Sequence, residues 1–117
     1  MKYFVTSYFE IEGIHCQPGI IKTNCSEKYL AAPHRHLFKF RVKVSVTHTN
    51  RDVEFIEFAH SIKTNLLATF KGSTPFTANF HSMSCEALGV WVLEHFANAV
   101  QVEVTEDGES GAVVERE

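Results

Sequence analysis

Seven histidines stand in a chain of 117 residues. His34 and His36 lie two apart in a stretch that alternates apolar and polar residues, so both imidazoles project from one face of a strand. His15 closes an earlier alternating stretch. If the two strands pair across the connection between them, three imidazoles converge at one end of the ladder. Three neutral nitrogen ligands beside an open fourth position make the arrangement of a catalytic zinc site. A His-x-His pair alone also reads as two polar residues at a strand start; the third histidine tips the reading toward a metal. His48 beside a turn, His60 within a helix and His95 near a helix end read as structural, the last where a cation suits the dipole. His81 stays open between the two readings.

Tyr3 to His15 alternates with period two, its odd positions carrying Tyr3, Val5, Ser7, Phe9, Ile11, Gly13 and His15, which predicts a strand with a bulge or bend at Gly13. Cys16 to Pro33 reads as a long loop, and loops beyond about 12–15 residues in a compact domain are usually functional. His34 to His48 gives the cleanest alternation, with His34, His36, Phe38, Phe40, Val42, Val44 and Val46 on one face. Glu54 to Phe70 spaces Phe55, Phe58, Ala59, Ile62, Leu66 and Leu67 as an amphipathic helix. After a loop, Ser84 reads as the N-cap of a second helix, with Leu88, Trp91, Val92, His95 and Phe96 as its buried stripe. Val100 to Thr105 predicts a third strand, Asp107-Gly108 a turn and Ala112 to Val114 a fourth strand. The expected fold is α+β: one domain over 1–117, ββααββ, with an antiparallel four-stranded sheet and two helices on one face.

Lys and Arg number 11 against 14 Asp and Glu, a formal charge of -3, which gives no electrostatic case for nucleic acid or an anionic membrane. No apolar run approaches the roughly 18 residues of a membrane span, and the N-terminus lacks a signal-peptide core. Three cysteines at irregular spacing argue for a reducing compartment, so a cytoplasmic protein is expected. The open edges of a four-stranded sheet need pairing, which points to a homo-oligomer.

The ordered set Glu12-Gly13-Ile14-His15, His34-Arg35-His36-Leu37-Phe38, Phe55-Ile56-Glu57-Phe58, Met83-Ser84-Cys85-Glu86 and Val102-Glu103-Val104-Thr105-Glu106 spans almost the whole chain. It resembles the family of 6-pyruvoyl-tetrahydropterin synthase and 6-carboxy-5,6,7,8-tetrahydropterin synthase. The resemblance implies the tunnelling fold, with sheets joined into trimers and hexamers and active sites at subunit interfaces. It implies that His15, His34 and His36 bind zinc and that Glu106 accepts hydrogen bonds from a reduced pterin. It further implies a lyase acting on 7,8-dihydroneopterin triphosphate, with a cysteine thiolate as base and an Asp-His pair beside it.

The chain departs from that pattern at the base. Lys28, Tyr29 and Leu30 occupy the positions where the family carries its cysteine. Cys25 is the nearest thiol in the loop, Glu27 is a second candidate, and Cys16 is expected to point to the opposite face. Gly72 to His81 holds no Asp, leaving His81 as the positional stand-in for the Asp-His pair. Arg35 replaces the glycine between the paired histidines. Three expectations follow: a zinc-dependent lyase, of the 6-carboxy type that feeds 7-deazaguanine and queuosine synthesis, a divergent relative that binds zinc and pterin without turnover, or a structural α+β oligomer with no metal.

Overall fold

The computed structural model describes residues 1–17 and 32–117. The first two strands, β1 (Tyr3–His15) and β2 (His34–Val46), are long and antiparallel, paired from Tyr3↔Val46 to His15↔His34. Their alternation sets the layers. Ser7, Phe9, Ile11, Gly13 and His15 of β1 face inward beside Phe38, Phe40, Val42, Val44 and Val46 of β2. The rings of Phe9 and Phe40, opposite one another, stack with centroids 4.7 Å apart.

Helix α1 (Phe55–Thr69) buries Ala59, Ile62 and Leu66 against this face, capped by the Glu54 carboxylate, which accepts from the Ile56 and Glu57 amides. Helix α2 (Cys85–His95) begins at Ser84, whose hydroxyl accepts from the Ala87 amide at 3.1 Å, the expected cap. Its buried residues are Cys85, Leu88, Gly89, Val92 and Leu93. Of the expected stripe, Trp91 and Phe96 are only half-buried and His95 is exposed, stacked on Trp91 at 4.0 Å, while Gly89 lies against the sheet, where a Cβ would come within 2.8 Å of Val114.

The sheet has five strands in the order β3-β1-β2-β4-β5, with β3 at Thr77–His81, β4 at Ala99–Glu106 and β5 at Ser110–Glu115. This corrects the expected four-stranded antiparallel sheet. Strand β3 lies parallel to β1 and makes the sheet mixed. Thr77-Ala78-Asn79-Phe80-His81 is too short, and too mixed in strand propensity, to stand out from a loop. It forms because Ala78 and Phe80 drop into the core while its backbone pairs with Glu12–His15. No bulge falls at Gly13: β1 pairs with β2 in unbroken register, and where β1 and β3 shift between Ile14 and His15 the extra residue, Phe80, lies on β3. Gly13 has a steric reason of its own, since a Cβ on it would lie 2.7 Å from the Phe80 ring and 3.1 Å from Phe38. Among the described residues no helix is long and apolar enough to cross a membrane.

Candidate metal centre

The ladder builds the centre directly. In the β1–β2 register His15 stands opposite His34, and Gly13 stands opposite His36. Opposed residues of an antiparallel pair share a face, and here that face is the helix-covered one. The three rings meet edge to face, with centroids 4.6 Å apart for His15–His34, 5.3 Å for His15–His36 and 5.0 Å for His34–His36. One ring nitrogen from each lies within 4.8 Å of the others. Phe38 forms the floor, edge-on to His15 at 5.0 Å and to His36 at 5.8 Å, and Phe80 supports Phe38 at 5.0 Å.

Hydrogen bonds fix the tautomers. The Nδ1 of His15 lies 2.9 Å from the Met83 carbonyl oxygen, that of His34 2.9 Å from the Ala32 carbonyl oxygen, and that of His36 2.7 Å from Asp107 Oδ2. All three partners are pure acceptors, so each Nδ1 carries the proton and donates. Each Nε2 is then left with a free lone pair, the form that binds a metal, and such outer partners also raise ligand basicity. The Nε2 atoms of His15 and His36 are buried without a hydrogen-bond partner among the described residues. Buried polar atoms are rarely left unpaired. Two lone pairs orphaned side by side fit a cation between them, so the residues present suit a metal ion.

Asp107 was not singled out from the sequence beyond the Asp-Gly turn. It adopts φ 59°, a left-handed conformation that Asp tolerates, and this carries its carboxylate back over β2. Oδ1 accepts from the Leu37 amide at 2.9 Å while Oδ2 holds His36. Those two donors, the amide first, keep its pKa below the ordinary carboxylate value. Glu106, the preceding residue, pairs with Phe38 across β2–β4 and so faces the histidines. Its Oε1 lies 3.2 Å from His15 Nε2 and its Oε2 3.3 Å from His36 Nε2.

Cys85 is a further residue that the sequence did not mark. It opens α2, and its Sγ reaches toward Glu106 Oε1 at 3.8 Å. A helix N-terminus ordinarily lowers a thiol pKa. Burial, reinforced by the Glu106 and Glu86 carboxylates, wins here and pushes the thiol up to about 12. His81 ends β3 with φ 56° and an exposed side chain, its ring making no hydrogen bond among the described residues. It borders a hollow of about 310 Å³ with Ile14, Cys16 and Asn79, apart from Glu106 and Asp107. Cys25 and Glu27 lie outside the described residues. A concavity of about 810 Å³ between α1 and residues 71–76 contains none of the residues of the centre.

No family model and no curated protein matches the chain by sequence. Solved structures match it over its full length. An uncharacterized protein from Wolinella succinogenes superposes with a TM-score of 0.67 at 16% identity, covering 100% of this chain and 99% of that one. The 6-pyruvoyl tetrahydropterin synthase of Caenorhabditis elegans superposes with a TM-score of 0.64 at 9% identity, covering 100% and 97%. At such identities the likeness is one of fold. The chain is an α+β protein with the tunnelling fold of 6-pyruvoyl tetrahydropterin synthase, carrying three histidines that could hold a metal.

Proposed function

We propose that the chain is a zinc-dependent lyase of the pterin synthase type, acting on 7,8-dihydroneopterin triphosphate in the manner of 6-carboxy-tetrahydropterin synthase. The observation that carries the reading is the set of three imidazoles whose Nδ1 atoms are tied to fixed acceptors, leaving their Nε2 atoms free. Imidazole ligands suit several transition metals; a fold shared with a pterin synthase favours zinc. When bound, zinc would supply Lewis acidity to oxygens of the substrate side chain. His15, His34 and His36 would hold it, while Asp107 and the Met83 and Ala32 carbonyls keep the rings in register. Glu106 would meet donors on the substrate from the same side. Cys25 is the proposed base and His81 its proposed partner.

Among the described residues the hollows beside the histidines are small, about 220 and 310 Å³, at or below the low end of ordinary ligand pockets, which supports a site completed by a neighbouring copy in a trimer or a dimer of trimers. Phe4, Tyr8, Ile14, Leu37 and Val113 are exposed on the sheet, as a buried barrel wall requires.

A second reading, a zinc- and pterin-binding relative without turnover, is favoured by the missing thiol at positions 28–30 and the absence of Asp between Gly72 and His81. Incubating zinc-loaded protein with 7,8-dihydroneopterin triphosphate separates the two. The lyase reading predicts triphosphate release or side-chain cleavage, lost in Cys25→Ala. Tight pterin binding without product anywhere between about pH 6 and 9 would leave only the second.

A further inference from the structure

Among the described residues Glu106 is the one carboxylate that faces the free side of the histidine centre, and its surroundings do not fit a plain ion pair. Its oxygens approach His15 Nε2 at 3.2 Å and His36 Nε2 at 3.3 Å, yet neither nitrogen has a hydrogen-bond partner among the described residues. The protons of both rings are committed to Nδ1. Lone pair therefore faces lone pair, which is repulsive unless a cation is shared. Among the described residues no lysine or arginine pairs with Glu106.

We propose that Glu106 is the fourth ligand of the metal in the substrate-free protein, closing the three-histidine centre until an incoming ligand displaces the carboxylate. This rests on the metal reading of the same histidines, though not on any particular reaction. The distances carry it. Ligands about 2.0–2.1 Å from a tetrahedral zinc are separated from one another by about 3.3–3.4 Å, and the Glu106 oxygens stand near that separation, Oε1 at 3.2 Å from His15 Nε2 and Oε2 at 3.3 Å from His36 Nε2. The local chain explains how adjacent carboxylates take different jobs. Glu106 is the last residue of β4 and points inward with Phe38, whereas Asp107 leaves the strand left-handed and holds His36 from its outer edge. Both Asp107 oxygens are already engaged by His36 and Leu37, so it supports a ligand and is not one. The Cys85 thiol beside Oε1 at 3.8 Å helps hold the Glu106 carboxylate in place. A pterin that claims the Glu106 oxygens must draw them off the metal, so substrate binding and the opening of a coordination site become one event.

The test uses metal ions alone. Metal-free full-length protein is titrated with Zn²⁺ against a chromophoric chelator, and with Co²⁺ followed by its visible absorption. Glu106→Gln should bind zinc more than about 100-fold more weakly, beyond the roughly 10–100-fold expected of Asp107→Asn as the loss of a supporting carboxylate. Its cobalt bands should shift and respond to added azide, while the wild type resists azide and Asp107→Asn keeps the wild-type band positions. Affinity within about threefold of wild type with an unchanged cobalt spectrum would overturn the assignment. If Glu106→Gln loses its far-ultraviolet dichroism, Glu106→Asp replaces it; bands that fail to move on shortening the side chain overturn the assignment equally. Should the wild type take up neither ion, the metal reading itself falls, and this proposal with it.

Discussion

Replacing Gly13 with alanine probes the support beneath the histidines. The added Cβ would sit 2.7 and 2.9 Å from two carbons of the Phe80 ring and 3.1 Å from Phe38 Cδ2. Comfortable carbon contacts are about 3.5–4.0 Å, so the Phe80 edge must retreat by roughly 0.7–1 Å. It has nowhere to go: Phe80 and Phe38 are both at 0% exposure, and Phe70 packs on Phe80 at 5.5 Å. Overpacking of this kind costs about 1–3 kcal/mol. Gly13 does not have a positive φ, so alanine gains back about 0.4–1 kcal/mol by restricting the unfolded chain. The net loss is about 1–2 kcal/mol, or roughly 4–8 °C in Tm for a domain of this size. Because Phe38 touches both His15 and His36 edge-on, the displacement also reaches the centre, and zinc affinity should fall by about tenfold. Thermal melts with and without zinc, together with chelator competition, measure both effects. A variant as stable as wild type, with unchanged zinc affinity, would refute the claim that Gly13 exists to admit Phe80.

Ser84→Ala removes the cap of α2 and should cost about 1 kcal/mol in denaturant unfolding, with a further loss of zinc affinity because the Met83 carbonyl that holds His15 lies at the same corner. Arg116→Met removes guanidinium bonds to the Ala99 and Phe96 carbonyls and should destabilise by about 1.5–3 kcal/mol without touching metal binding. With its pKa near 12, the Cys85 thiol of metal-free protein should be about 10⁻⁴ ionised at pH 8, so peptide mass spectrometry should find it alkylated about a thousandfold more slowly than in the unfolded chain. The sign of the linked stability follows. The folded state holds that proton more tightly, so the contribution is whole below the ordinary thiol value of 9.0 and is lost as pH climbs from there toward 12. Zinc at a hundred times its dissociation constant should add about 2.7 kcal/mol and raise Tm accordingly; a Tm indifferent to zinc would count against the centre.

The histidine centre was legible because strand parity is a strong constraint. His34 and His36 share a face by spacing alone, and the paired strand ends bring His15 opposite His34. The caps and helix periods were equally local, as Ser84 shows. What escaped depends on contacts between residues far apart in the chain. β3 carries only two inward residues, Ala78 and Phe80, and declares itself only once β1 lies beside it. Asp107 read as a turn residue because the left-handed backbone that aims it at His36 is invisible to periodicity. Cys85 lay hidden in the first turn of α2, where burial reverses the effect of the helix end. Gly13 read as a bulge or bend, but its glycine answers to the Phe80 ring, 67 residues later, which no local pattern reveals.

Metal stoichiometry tests the central claim most directly. Native-purified protein, stripped with a chelator and dialysed against micromolar zinc, should retain about one zinc per chain, and His34→Ala/His36→Ala should retain almost none while keeping its far-ultraviolet dichroism. Fewer than about 0.1 zinc per wild-type chain, or equal retention by the double variant, would contradict the assignment of His15, His34 and His36 as a metal centre.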